Sequence, residues 1–217
     1  MSIAQKVSKL VQVIRHRDEV KRAINRALIS METPKESYWG SITEEDEVGI
    51  RHAIIQASKF EGPIVEIGAL FGHTTAFIAS LKRNEVPLYA VDNFTWNPFG
   101  LTPKEHRLFL MRTIRFAIAH CSTQVFDGSA ADFYAANPGL NPSMVFIDAA
   151  HDYQSVRRDI EWAISAGCPV ISGHDYSDIC PGVIRAVDEI WGKNISLFGS
   201  VWIYEREPGE QAVASAR

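Results

Sequence analysis

The sequence predicts an α/β fold: a doubly wound, mostly parallel seven-stranded sheet whose last strand is antiparallel, preceded by an N-terminal helical extension. Three observations predict it. From Pro63 onward, short β-branched apolar runs alternate five times with segments of helical periodicity, the pattern of βα units. The last two apolar runs have no helix between them and should pair as an antiparallel hairpin. Finally, Glu66, Asp92, Asp127, Asp148 and Asp175 stand at or just after the ends of successive strands. In an open α/β sheet that carboxyl edge is where ligands bind. One acid there is often only the N-cap of the next helix; five in succession are harder to dismiss.

The elements follow in order. Residues 1–30 carry apolar positions at helical spacing, including Val7, Val11, Val20, Ile24 and Leu28, and predict one or two amphipathic helices. Seven Lys or Arg against two acids give this stretch a net charge of +5. A basic amphipathic helix can lie on an anionic membrane, but a helix packed on the domain or on a second subunit is the favoured expectation. Residues 31–61 are acidic, so the two leading segments are expected to touch. Ser41-Ile42-Thr43-Glu44 resembles a capping box for a helix running to about Lys59. Strand Ile64–Ile67 then enters the turn Gly68-Ala69-Leu70-Phe71-Gly72, and a helix spans about Thr74–Lys82. Strand Leu88–Val91 ends at Asp92 and precedes an aromatic loop and a helix from Pro103 to about His120. Strand Thr123–Phe126 leads through Asp127-Gly128 to a short helix at Ala130–Ala135. Strand Met144–Ile147 ends at Asp148 before a helix at Gln154–Ala166. Strand Pro169–Ser172 precedes Gly173-His174-Asp175 and a helix at Gly182–Trp191. Ile195–Phe198 and Val201–Glu205 form the closing hairpin.

The 217 residues suit an extension (1–60), one ligand-binding domain (61–207) and a flexible tail (208–217). A net charge of −4 weighs against nucleic acid as a partner. Cys121, Cys168 and Cys180 show no metal-ligand spacing, and a reducing cytoplasm is the expected location. No apolar run approaches the roughly 18 residues of a membrane span.

The turn after the first strand reads E-x-G-x-x-x-G, not the G-x-G-x-x-G of nicotinamide-dependent oxidoreductases, which makes that class the weaker alternative. Its glycines suit close approach of the backbone to a ligand, although a plain tight turn also requires them. Asp92 lies 26 residues after Glu66 (92 minus 66), near the roughly 20-residue offset at which an acid meets a ribose diol.

Five motifs occur in order: Val65-Glu66-Ile67-Gly68, Val91-Asp92, Phe146-Ile147-Asp148-Ala149-Ala150-His151-Asp152-Tyr153, His174-Asp175-Tyr176, and Gly182-Val183 with Ala186-Val187. Over about residues 60–205 they resemble the class I S-adenosylmethionine-dependent methyltransferases, and within them the small-molecule O-methyltransferases. Ala149 departs from the glycine usual in that group. The resemblance implies a Rossmann-like sheet, S-adenosylmethionine as cofactor and a small-molecule hydroxyl, on a sugar, glycan or secondary metabolite, as acceptor. It places Glu66, Gly68, Gly72 and Thr74 beside the methionine portion, with capping an equal alternative for Thr74. Asp92 and Asn93 fall at the ribose, and Asp127, Gly128 and Ser129 at the adenine, with Ser129 equally suited as an N-cap. Asp148 is assigned to both cofactor and catalysis.

Methyl transfer to a hydroxyl requires alignment of the acceptor oxygen and removal of its proton. Two routes are open. Asp148, His174 and Asp175 would hold Mg²⁺, or His151, with a pKa near neutrality, would act as general base. His174 is the weak member of the metal set because a hard cation prefers oxygen. The structural alternative leaves Asp148 to orient its loop and Asp152 to cap a helix. A homodimer through the N-terminal helices is the expected assembly. A non-catalytic cofactor- or partner-binding protein is the functional alternative.

Overall fold

The computed structural model describes residues 3–39, 42–96 and 99–206. Ser41 of the expected capping box, Asn97 and Pro98 of the aromatic loop, and the tail at 208–217 lie outside the described residues. The elements are α1 (Ile3–Glu32), a 3-10 turn (Lys35–Tyr38), α2 (Glu44–Ala57), β1 (Ile64–Ile67), α3 (His73–Leu81), β2 (Leu88–Asp92), α4 (Pro103–Thr113) and α5 (Arg115–His120). They continue with β3 (Thr123–Asp127), α6 (Ala130–Ala136), β4 (Met144–Ile147), α7 (Tyr153–Ser165), β5 (Val170–Gly173), α8 (Pro181–Trp191), β6 (Ser196–Phe198) and β7 (Val201–Glu205).

The sheet runs β3-β2-β1-β4-β5-β7-β6. β1 to β5 are parallel; β7 inserts antiparallel between β5 and β6. The mostly parallel sheet with an antiparallel last strand is therefore as expected. β1, β4 and β5 are buried along their whole length, as strands covered by helices on both faces must be. The chain reverses its direction of travel across the sheet between β1 and β4. This switch point opens a crevice at the carboxyl edge.

Two elements differ from the sequence reading. The helix expected from Pro103 to His120 breaks at Ile114, whose φ of −100° and ψ of 13° leave the helical region. Ile114 is buried at that bend, so packing sets the break and no Gly or Pro announces it. The cap of α2 is Thr43, which forms a capping box with Asp46. α1 is one continuous helix that packs mainly against α3 and α5. It docks through buried Asn25 and Ile29 and an ion pair between Glu32 and Arg115. Val20, Ile24 and Leu28, apolar positions of the expected amphipathic helix, are exposed.

Candidate active site

The β1–α3 turn is the floor of the crevice. Gly68 and Gly72 have φ of 91° and 81°, in the region that excludes most side chains. A Cβ on Gly68 would lie 2.1 Å from the Asp148 carbonyl oxygen. The passage of β4's end across the turn therefore requires glycine here, whatever ligand binds. The same turn is strapped from two sides. Asp92 Oδ2 accepts the backbone N–H of Ala69 (2.9 Å) and Leu70 (3.0 Å), and Oδ1 accepts that of Phe94 (2.7 Å). Opposite, buried His106 Nε2 contacts the Leu70 carbonyl at 2.8 Å. Leu70 and Phe94 are both left-handed, at φ of 42° and 56°, strain that these straps maintain. His106 lines the crevice, yet nothing in a helix interior marks it from sequence.

A carboxylate offers about four lone-pair positions. Three of Asp92's are taken by the turn, which leaves room for one hydroxyl and not both of a diol. Asn93 lines the crevice beside it while its own Oδ1 accepts from Thr95 N–H and hydroxyl. Glu66 lies beneath the turn rather than in the crevice wall. It is fully buried; Oε2 accepts the Thr75 hydroxyl at 2.5 Å, and Oε1 has no partner among the described residues. Burial pushes its pKa up to about 8 despite the Thr75 bond, so this carboxyl is largely protonated at neutral pH.

Thr74 lines the crevice, and the N-cap of α3 is the left-handed Gly72. Ser129 caps α6 in a reciprocal box with Asp132 and also lines the crevice, as does Gly128. Asp127 does not line it; its carboxylate pairs with Arg107 at 2.8 Å. Phe94 is core, whereas Trp96 stands at the rim, 60% exposed.

The carboxyl ends of β4 and β5 bring Asp148, His151, His174 and Asp175 together. His151 Nε2 lies 2.9 Å from Asp175 Oδ2 and 3.9 Å from Asp148 Oδ1. His174 Nδ1 lies 3.6 Å from each of the same two oxygens. Its other nitrogen, Nε2, meets Asp46 Oδ2 at 3.2 Å. The carboxylates of Asp148 and Asp175 push His151 up to about 10, which replaces the near-neutral value expected from its residue type. His174 is desolvated, which opposes its charge, yet the same carboxylates push it up to about 11. Asp175 is held well below the usual carboxylate range by the two imidazoles. It is also left-handed, at φ 59°. Asp152 caps α7 through the Ser155 N–H and takes no part in the cluster.

This donor set fits Mg²⁺ poorly. The ion needs near-octahedral oxygen ligands. Here two carboxylates already face two imidazoles, and both ring nitrogens of His174 point at carboxylates. Asp148, His174 and Asp175 do bring one ligand atom each within 4.8 Å of one another, but one of the three donors is a ring nitrogen.

A crevice of about 460 Å³ joins these parts, within the roughly 300–1,000 Å³ of small-molecule sites. Gly68, Thr74, Asp92, Asn93, Gly128, Ser129, Asp148, His151 and Asp175 line it; Glu66, Gly72, Asp127 and His174 stand behind that wall. The N-terminal segment contributes Ser37, whose hydroxyl donates to Pro34 O (2.6 Å) and lies 3.4 Å from His73 Nδ1. Sequence reasoning missed Ser37 and Asp46 because tertiary packing alone brings them to the sheet edge.

A family model described as a methyltransferase domain matches residues 65–176, just over half the chain. No curated protein matches the chain. Among solved structures, the chain is similar to CalS11, a TDP-rhamnose 3'-O-methyltransferase of calicheamicin biosynthesis (16% identity, 74% of this chain and 78% of that one, TM-score 0.56). It is also similar to an O-methyltransferase from Bacillus cereus in complex with SAH (18%, 86% and 89%, 0.56). A third likeness is to precorrin-6y C5,15-methyltransferase from Geobacter metallireducens GS-15 (12%, 81% and 93%, 0.54). At these identities the likeness is one of fold.

Proposed function

The chain belongs to the methyltransferase-domain family, and from that premise we propose that it transfers a methyl group from S-adenosylmethionine to a hydroxyl of a small molecule. The observation that carries this reading is the cluster at the crevice wall, where His151 sits between the carboxylates of Asp148 and Asp175. When bound, the cofactor supplies an electrophilic methyl on its sulfonium sulfur. Gly68 and Thr74 would border its methionine portion, Asp92 and Asn93 its ribose, and Gly128 and Ser129 its adenine. In this assignment Asp92 accepts one ribose hydroxyl with its remaining lone pair. Glu66 supports the turn through Thr75, Gly72 starts α3, and Asp127 fixes Arg107. Asp148 borders both cofactor and acceptor.

His151 in its neutral form accepts the proton of the acceptor hydroxyl as the methyl bond forms. Asp148 and Asp175 stabilise the imidazolium that results. The same carboxylates keep the resting imidazole charged, so the reaction is fastest at alkaline pH. The proposed unit is residues 61–207, with 1–60 as an extension that roofs the crevice at Ser37. A homodimer through α1 is supported by the exposed apolar stripe Val20, Ile24, Leu28 and Met31. The acceptor is a small molecule rather than nucleic acid, and the three free cysteines support a cytoplasmic location.

The test is calorimetry of S-adenosylmethionine with wild type and Asp92→Ala, with turnover followed as S-adenosylhomocysteine release across a panel of hydroxyl acceptors. Wild type binds, the variant binds at least about tenfold more weakly through loss of the hydroxyl contact and the strap, and added chelator leaves turnover unchanged. Equal affinity in Asp92→Ala refutes the ribose assignment. Binding with no turnover on any acceptor favours the non-catalytic alternative.

A further inference from the structure

We propose that Asp46, on α2 and outside the family-matched segment, is a positioning residue for this site: it fixes the His174 ring so that Nδ1 faces Asp148 and Asp175. The proposal rests on the methyl-transfer reading above for its kinetic consequence, and on geometry alone for the positioning.

A helix cap accounts for only part of what Asp46 does. Its Oδ2 accepts from Thr43 N–H (2.8 Å) and hydroxyl (2.7 Å), and its N–H donates to Thr43 Oγ1 (3.3 Å) to complete the capping box. Oδ2 also faces His174 Nε2 at 3.2 Å, and Oδ1 accepts from Ser200 N–H (2.8 Å) and hydroxyl (3.1 Å) in the β6–β7 turn. Surface capping acids such as Asp132 and Glu105 remain exposed. Asp46 is 1% exposed, and a carboxylate is buried at such cost only when its partners are secured. The β6–β7 turn is shaped around it: Gly199 is left-handed at φ 58°, and a Cβ there would lie 2.5 Å from Asp46 Oδ1.

The His174 side chain is itself only 10% exposed. An imidazole can turn over about its χ2 axis, exchanging which nitrogen meets which neighbour. The Asp46 contact selects one orientation. Nε2 is held by α2, and Nδ1 is left 3.6 Å from both Asp148 Oδ1 and Asp175 Oδ2, the two oxygens that His151 also faces. His174 thereby holds the carboxylate pair from behind while His151 meets it from the crevice. Asp46 touches neither acceptor nor cofactor position; it acts through His174.

The test compares Asp46→Asn with Thr43→Ala in the full-length protein. The amide cannot accept on all sides of the position. The Thr43 variant loses the cap hydroxyl but leaves the His174 contact in place. Asp46→Asn is expected to lower kcat about 10- to 100-fold, the scale of an ångström-level misplacement, with the calorimetric Kd for S-adenosylmethionine within twofold. It also loses the nitrogen-bound proton resonance of His174 Nε2 in ¹⁵N-resolved NMR. Thr43→Ala lowers Tm but keeps both kcat and the resonance. Asp46→Glu, which retains the charge but displaces it by one methylene, serves if the amide variant does not fold, and it too lowers kcat. Retention of kcat and resonance on substitution of Asp46 overturns the proposal, as does an equal loss of both in Thr43→Ala. If wild type methylates nothing, the proposed activity fails. The His174 resonance still decides the positioning.

Discussion

Replacement of Asp175 by Asn probes the heart of the cluster without disturbing the backbone, because Asn tolerates the left-handed φ of 59° that Asp175 adopts. The substitution removes the carboxylate nearest His151, at 2.9 Å, and leaves Asp148 at 3.9 Å. In the native protein His151 is pushed up to about 10. At pH 7.5 an imidazole with that pKa is neutral in about 0.3% of molecules, against about 90% for one at the ordinary 6.5. Loss of one carboxylate is expected to lower the His151 pKa by more than about one unit, which raises the neutral fraction at least about tenfold. The side chain is 40% exposed, so solvent screening moderates the effect and no energy is attached to it. The assay is NMR titration of the His151 Cε1–H from pH 5 to 11, which requires no acceptor. A wild-type titration near 6.5, or the same midpoint in Asp175→Asn, refutes the reasoning. The sign carries over to rate: a base must be neutral, so log kcat rises with pH up to the His151 pKa, and the rise ends at lower pH in the variant. It carries over to stability in the opposite sense. A raised histidine pKa contributes fully below about 6.5 and is lost as pH rises through about 10.

Two further substitutions test the turn beneath the crevice. Glu66, raised to about 8 by burial, costs the fold nothing through ionisation below about 4.5, and the cost grows as pH rises to about 8. Glu66→Gln should therefore gain roughly 1–3 kcal/mol over wild type at pH 7 and more at pH 9; chemical denaturation showing a pH-independent difference would contradict this. Gly68→Ala sets a methyl 2.1 Å from the Asp148 carbonyl and should cost about 3 kcal/mol or more. Urea unfolding within about 1 kcal/mol of wild type would show that the crossing of β4 over the turn is looser than described.

The sheet was legible because its strands are short, apolar and punctuated, and because parallel order follows from the helices between them. The cluster was legible because Asp148, His151, His174 and Asp175 all follow strand ends, where the fold itself collects them. What the residues could not disclose is how their hydrogen-bonding capacity is divided. Asp92 stands where a diol-binding acid should, yet three of its lone pairs serve the turn. Asp127 stands at an equivalent strand end and turns to Arg107. His151 looks like a near-neutral base until two carboxylates fix its charge. Asp46 reads as one more acid of the acidic segment 31–61, because its link to His174 spans 128 positions of sequence and has no local signature.

That same link bears on how the molecule comes together. Asp46 joins His174 across 128 positions and Ser200 across 154, so two of the chain's longest loops close on one buried carboxylate. Loop closure grows only logarithmically with length, and a tenfold longer loop costs about 2 kcal/mol more, a modest thermodynamic charge. The kinetic charge is larger, because long-range contacts form only after much of the chain is already ordered. His174 gains its Asp46 partner only when α2 meets the carboxyl end of β5. The sheet can be nearly complete while the ring that backs the carboxylate pair still lacks its orientation.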